Sequence, residues 1–457
     1  MMLMPRLAPL ALCSALLLAA CTPPASGPSP EAQATSNRWL ARMAADTAAT
    51  ADSLAVWTRR GCRSLRGMNR ECVERALYGV LERSGVARAM GTLDVLAETE
   101  PAVRDESHPL AHGLGIAAYK SPETVATTFA ECPNTQISGC YHGVIQGYFL
   151  DVARRGTPVT AELMNGICAP HLRNGMLWGQ CNHGLGHGLM ALLHNHLPNT
   201  LAKCDLLTDH GAREGCYGGA FMENIVAVTH PHATAESHAA LQKPGDGHAG
   251  HGAHGAASGP PARAAHGEHA GHEGHAQGAQ ATAAAATPWK PLDRTDPLYP
   301  CTVVAEKYHN QCYMIQTAAI LSQMGGDIPH TAKACSRAPA NMVHVCYASL
   351  GRDISAYAGR DPQRAAQMCA RAGAEAEPAC IRGAAVSLVE VNHRPEDGLA
   401  LCRLAPEAAR ARCYAGVGST LQINTPDPAR REAVCSSVDA AFQEACREGA
   451  GIQRRTR

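Results

Sequence analysis

Eighteen of the twenty cysteines in this chain stand in nine close pairs: Cys62/Cys72, Cys132/Cys140, Cys168/Cys181, Cys204/Cys216, Cys301/Cys312, Cys335/Cys346, Cys369/Cys380, Cys402/Cys413 and Cys435/Cys446. From Cys301 onward the first member of each pair returns every 33 or 34 residues. The second member often opens a phrase such as CYHGVIQG, CYGGAF, CYASLG or CYAGVG. A fixed period with an internal cysteine pair describes one small unit copied many times. Pairing by nearness is an inference, because cysteine positions alone admit other connectivities. Repetition also removes a size problem. One core for so long a chain is unfavourable, whereas stacked units touch only their neighbours.

The segment DGLALCRLAPEAARARCYAGVGSTLQ shows the plan of a unit. A first helix ends near Cys402, Pro406 suits the opening turn of the next, and Cys413 follows on that second helix. The cysteines then clip the two helices together, which is worth about 3 kcal/mol per clip in the chain-entropy picture. Gly416 and Gly418 remove side chains where the next hairpin must approach, at some cost in helix propensity. Aromatic residues are only 4 % of the chain, so thin, closely packed helical layers are expected. The fold class is all-α: an αα-hairpin solenoid of about ten disulfide-bridged units, at 45–84, 85–120, 121–157, 158–196, 197–229, 294–325, 326–359, 360–392, 393–425 and 426–452. The second unit lacks cysteines but keeps AHGLGIAAY, which aligns with NHGLGHGLM of the fourth.

In the third unit, ECPNTQISGCYHGVIQGY has seven residues between its cysteines and Gly139 before the second. It resembles the disulfide-bridged Sel1-like repeats of secreted bacterial proteins. The resemblance implies a right-handed solenoid related to tetratricopeptide repeats and a surface for partner proteins. It carries over architecture and no binding residues.

The N-terminus reads as an export signal. Arg6 precedes a short apolar run ending in Leu18-Ala19-Ala20-Cys21, a charged start and small-residue cleavage site, too short to span a bilayer. The tetrad is similar to a bacterial lipobox, which implies a signal peptide at 1–20 and lipidation of Cys21. Thr22 after it is similar to outer-membrane cargo, so the implied location is the periplasmic face of the outer membrane, with the membrane as a partner through the lipid. A plain cleaved signal is the alternative. Export agrees with paired thiols, which persist in oxidising compartments. Residues 21–44 form the lipidated end and a Pro/Ser-rich tether. Lys plus Arg and Asp plus Glu are 40 each, so no basic excess points to nucleic acid.

Two histidine systems carry the chemistry. Residues 230–293 divide the repeats into halves, 45–229 and 294–457. The centre of this insertion is Ala, Gly and His, which cannot bury a core and reads as disordered. It holds His248, His251, His254, His266, His269, His272 and His275, with His230, His232 and His238 upstream. Such a tract can wrap metal ions with modest affinity, or be a low-complexity linker. The second system is ordered. His112, His142 and His183 take one equivalent position in three successive units, and His108 and His187 join them at helical spacing. Met190, Met222 and Glu223 extend the stripe, and Gly113, Gly143, Gly184, Gly186 and Gly188 are expected to leave room around the rings. Five imidazoles can supply the ligands of a zinc, copper or iron site, with Glu223 as a base if an open position activated water. The alternative is packing, each ring filling a gap between repeats.

The matching C-terminal positions are Met314, Ala348, Arg382 and Ala415. Gly351-Arg352-Asp353 reads as a surface ion pair at a helix end, and His309 and His344 as packing or polar-edge residues. With every mature cysteine paired, Cys–His nucleophilic chemistry is disfavoured. The function that follows is transition-metal binding by an envelope lipoprotein through the histidine cluster and the His-rich loop. Two alternatives stand beside it: a scaffold for an envelope protein or peptide, and a metal-dependent enzyme of unknown reaction.

Overall fold

The computed structural model describes residues 48–64, 67–229, 289–392 and 394–452, and Arg38 besides. The signal, Cys21, the tether apart from Arg38, and the whole His-rich tract from 230 to 288 lie outside the described residues.

Regular structure among the described residues is helical, except for a two-stranded ribbon inside the first cysteine loop, Arg63–Ser64 antiparallel to Gly67–Met68. The chain opens with α1 (Ala51–Cys62), α2 (Arg70–Thr99), α3 (Pro101–Asp105) and α4 (Ser107–Ala118). Short and long helices then alternate: α5 (Val125–Glu131) and α6 (Gly139–Arg155), α7 (Ala161–Ile167) and α8 (Gly175–Leu192), α9 (Leu197–Cys204) and α10 (His210–Thr229). The alternation resumes with α11 (His309–Gln323), α12 (Ile328–Cys335), α13 (Val343–Tyr357), α14 (Pro362–Ala370) and α15 (Glu377–Asn392). It ends with α16 (Pro395–Leu404), α17 (Glu407–Asn424), α18 (Pro428–Ser436) and α19 (Gln443–Gly449). The boundary drawn between the first two units falls inside α2, where Gly85 breaks the helix at φ 79° and ψ 173°.

Local chemistry sets these breaks. Short helices begin on capping side chains: Thr160, Asp327, Asp361 and Asp427 accept from the N–H groups of Leu163, His330, Arg364 and Ala429. Pro362 and Pro428 follow their caps directly, where a missing N–H costs nothing. Long helices stop on left-handed residues, as at Gly156 (φ 63°) and Gly359 (φ 66°), and the chain reverses.

Nine disulfides join Cys62 to Cys72, Cys132 to Cys140, Cys168 to Cys181, Cys204 to Cys216, Cys301 to Cys312, Cys335 to Cys346, Cys369 to Cys380, Cys402 to Cys413 and Cys435 to Cys446. Each anchors the preceding segment to the opening turns of a long helix. The tyrosine that follows the second cysteine is buried at Tyr141, Tyr217, Tyr313, Tyr347 and Tyr414, which accounts for the recurrent Cys-Tyr phrase.

The long helices α4, α6, α8, α10, α11, α13, α15 and α17, and the seven-residue α19 after them, pack against one another in chain order. Four of their interfaces are backbone to backbone. At Gly115/Gly143, Gly186/Gly219, Gly351/Gly383 and Gly418/Gly449, a Cβ on either member would overlap a carbonyl oxygen of the facing helix. This corrects the expected role of Gly143 and Gly186, which serve helix contact; a Cβ on Gly184 or Gly188 would likewise press on Ile145 or Phe149. The histidine-bearing helices are thereby drawn together.

The two halves meet directly. Asp205 accepts from Tyr217 Oη at 2.6 Å and from Lys307 Nζ and Tyr308 Oη at 2.7 Å. Trp289 Nε1 donates to Asn224 Oδ1 at 2.9 Å, and Asn224 Nδ2 donates to the Pro291 carbonyl at 2.9 Å. Residues 289–293, expected in the insertion, therefore belong to the packed body. Further along, α17 returns to touch α8.

Candidate metal centre

The long helices α4, α6 and α8 are neighbours. Each carries a histidine two residues past the second-cysteine position, His112, His142 and His183, so the repeat places all three on one wall. Residues four apart share a helix face, which adds His108 beside His112 and His187 beside His183. The five rings converge. Centroid separations are 5.5 Å for His108–His112, 5.5 Å for His112–His142, 4.4 Å for His142–His187, and 5.0 Å for both His142–His183 and His183–His187. Two trios could each hold an ion: in His108/His112/His142 and in His142/His183/His187, one nitrogen from each ring lies within 4.8 Å of the others. His142 is 2 % exposed and His187 1 %, while His108 and His183 keep partial access to solvent.

Three of the rings are held from behind by an oxygen. His108 Nδ1 faces the Gln136 carbonyl at 2.9 Å, His112 Nδ1 faces Gln146 Oε1 at 3.1 Å, and His187 Nδ1 faces Glu223 Oε2 at 2.7 Å. Such acceptors put the proton on Nδ1 and the lone pair on Nε2, the arrangement typical of metal-bound imidazoles. The Nε2 atoms of His183 and His187 are 3.2 Å apart. Nitrogens bound to a tetrahedral zinc at about 2.05 Å stand about 3.3 Å apart, so this edge already has ligand spacing.

His142 differs. Both its ring nitrogens are buried with no hydrogen-bond partner. A buried polar atom left unsatisfied costs about 1–3 kcal/mol, and this ring carries two. Packing alone would not select it, whereas a ligand at the cluster would satisfy it.

Backbone strain supports one of the anchors. Gln136, Ile137 and Ser138 are consecutive left-handed residues, with φ of 49, 52 and 61°, a conformation costing roughly 1–2 kcal/mol per residue. The turn aims the Gln136 carbonyl at His108, while Gln136 Nε2 donates to Asp94 Oδ1 at 2.7 Å. Strain of this kind persists where the surroundings over-determine it, and it gathers at functional sites.

The electrostatics favour neutral rings. Burial first, then the charges of His187, His183, His112 and His108, holds His142 well below the ordinary imidazole value. Burial, helped by His187 and His108 and opposed by a backbone bond to Gly215, lowers His183 to about 3. Neutral imidazole is the ligating form, so neither ring has a proton to surrender at neutral pH before binding an ion.

Other expectations change. Glu223 is engaged with His187 as a hydrogen-bond acceptor, which makes it a support for the ring; the expected base role gives way to this. Met190 is buried in the core. Arg352 and Asp353 pair in the middle of α13, with the Asp353 side chain 11 % exposed, not on the surface at a helix end. His309 packs edge-on to Tyr313 with Nε2 3.2 Å from the Val304 carbonyl, and His344 is exposed. Gln136 and Gln146 were missed. Gln146 lies four residues after His142, a spacing that places it on the same wall; nothing in the sequence marks Gln136.

No protein-family model matches this chain, and neither does any curated protein or solved structure. The functional reading therefore rests on the site itself.

Proposed function

We propose that this chain binds a first-row transition-metal ion at the histidine cluster of α4, α6 and α8. The observation that carries the reading is the buried His142 ring, unsatisfied at both nitrogens at the junction of two ligand trios. The all-imidazole donor set suits zinc, copper, iron or nickel and excludes none of them. The Gln136, Gln146 and Glu223 acceptors support it, because they fix three rings with Nε2 inward.

The wider reading is an exported lipoprotein anchored through Cys21 at the periplasmic face of the outer membrane. Its body is a continuous solenoid of about ten hairpin units, and the tract containing His248 to His275 serves as a collector feeding the cluster. No described helix is long and apolar enough to cross a membrane.

Elemental analysis tests the metal reading. Full-length chain purified without an affinity tag and dialysed against a weak chelator retains zinc, and the His142→Ala/His183→Ala variant retains less. Equal zinc in the two proteins, with both folded by circular dichroism, sinks the reading and leaves the tract as the only ligand source.

A further inference from the structure

The cluster has more ligands than one ion needs, and their arrangement is two-sided. Helix α6 lies between α4 and α8. Helix α4 presents His108 and His112 and α8 presents His183 and His187, with His187 also 5.7 Å from His112 between ring centroids. Ring nitrogens within 4.8 Å of one another are found in two trios, and His142 is the member common to both. An ion seated in the first trio leaves His183 and His187 unused, and an ion in the second leaves His108 and His112 unused. The supports are two-sided as well. Gln136 and Gln146 hold the first pair, and Glu223 holds His187 of the second. A ring that served a single ion would use one nitrogen and donate the other to a protein oxygen, as His108, His112 and His187 do. His142 has no such oxygen at either nitrogen.

We infer that the centre is built for a pair of transition-metal ions that share His142, one nitrogen of its imidazole facing each ion. This rests on the metal-binding reading above and extends it from one ion to a bridged pair. When the second ion binds, the shared ring releases its remaining N–H proton to solvent, and both nitrogens then carry lone pairs directed at metal. The two dications compensate the anionic bridge. Each ion receives three imidazole nitrogens and keeps a position open, reached from the partly exposed His108 side for one and the partly exposed His183 side for the other. The class of ligand suited to two such open positions is a small anion or water molecule.

Single substitutions in the full-length chain test this by difference, so that zinc on the His-rich tract cancels. After dialysis against a weak chelator, His142→Ala is expected to lower retained zinc by about two ions per chain, and His108→Ala and His183→Ala by about one each. His142→Asn, a smaller change at the buried position, is expected to match His142→Ala. Equal losses of about one ion in all of these variants overturn the shared ring and leave single-ion binding standing. No loss in any variant overturns both readings. A second measurement uses the same difference. Titrated with copper(II), the unmutated chain minus His142→Ala, so that copper on the tract cancels, is expected to gain paramagnetic resonance intensity with the first equivalent and lose it with the second, because coppers joined by an imidazolate are spin-coupled. Intensity rising steadily through both equivalents overturns the bridge.

Discussion

The N- and C-terminal halves share a scaffold and differ at its wall. Both use disulfides into the opening turns of their long helices, α4 excepted, and both bring long helices together through glycine pairs, Gly115/Gly143 in one half and Gly351/Gly383 in the other. At the positions that match His112, His142 and His183 the second half has Met314, Ala348, Arg382 and Ala415, and beside them its long helices meet through hydroxyls and one ion pair. Thr317 Oγ1 meets Ser349 Oγ at 2.5 Å and donates to Asp353 Oδ2 at 2.7 Å, and Ser355 Oγ meets Ser387 Oγ at 2.7 Å. The same stacked helices thus pack through small, hydrogen-bonded side chains where no histidine is required. Histidine at the equivalent positions is not a demand of the fold, and His142 is the ring that leaves both of its nitrogens unsatisfied.

The scaffold should therefore respond alike in both halves to a change at its glycines, and this is the largest effect expected. Gly143→Ala and Gly383→Ala each push a methyl into a facing carbonyl, of His112 and Ala348. Backbone cannot step aside as a side chain can, so a loss of about 3 kcal/mol or more is expected in urea unfolding. A large loss at one position with tolerance at the other would show that the halves are built on different principles.

The wall should respond unlike. Glu223→Gln keeps the shape of the carboxylate but weakens its hold on His187 Nδ1. Loss of such a support typically costs 10–100-fold in metal affinity, read by competition with a chromophoric chelator. Asp353→Asn, its C-terminal counterpart, is expected to leave metal affinity unchanged.

Acid separates the halves by sign. In the metal-free protein His142 and His183 stay neutral when folded, while the unfolded chain takes up protons below about pH 6.5. Stability is therefore full above that pH and falls by about 1.4 kcal/mol per pH unit for each ring as the medium is acidified. For His183 the fall ends near its folded value of about 3. Asp353 runs the other way. Burial raises its carboxyl against the pull of Arg352 and Thr317, so its contribution is lost as pH climbs from about 3.9 to the folded value. Urea midpoints of the metal-free chain should drop from pH 7 to pH 5, with a shallower slope in His183→Leu. An unchanged slope would mean that His183 is protonated in the folded state.

Much of the scaffold was legible because its signals are local and repeated. The cysteine pairs, the Cys-Tyr phrase and the histidine two residues on are all fixed by a period, and helical spacing brought in His108 and His187. The supports were not legible to the same degree. Gln136 acts through a backbone carbonyl in a left-handed turn, which no side-chain pattern reports. Glu223 was visible as a member of the stripe, but its role depends on a hydrogen bond to His187 in the next-but-one helix of the chain. Gly143, Gly184, Gly186 and Gly188 were read as space for rings because sequence shows which side chain is missing and not what approaches the gap. Trp289 and its bonds to Asn224 were hidden by the low-complexity tract just before it.

The smallest effect expected is also the most direct test of whether the wall serves packing or ligation. Leucine can fill much of the space of an imidazole and brings no polar atom. His142→Leu removes two unsatisfied nitrogens, so the metal-free protein should be unchanged or gain about 1 kcal/mol. Thr317→Val removes a hydroxyl that serves both Ser349 and Asp353, so it should lose about 1 kcal/mol. A residue retained for packing is harmed by its apolar replacement; a residue retained as a ligand is relieved by it until metal is added. With zinc present the order should reverse, because binding to the folded state alone stabilises the parent chain by mass action and His142→Leu forfeits that gain. If His142→Leu costs several kcal/mol without metal, the ring is part of the core and the difference between the halves is one of packing.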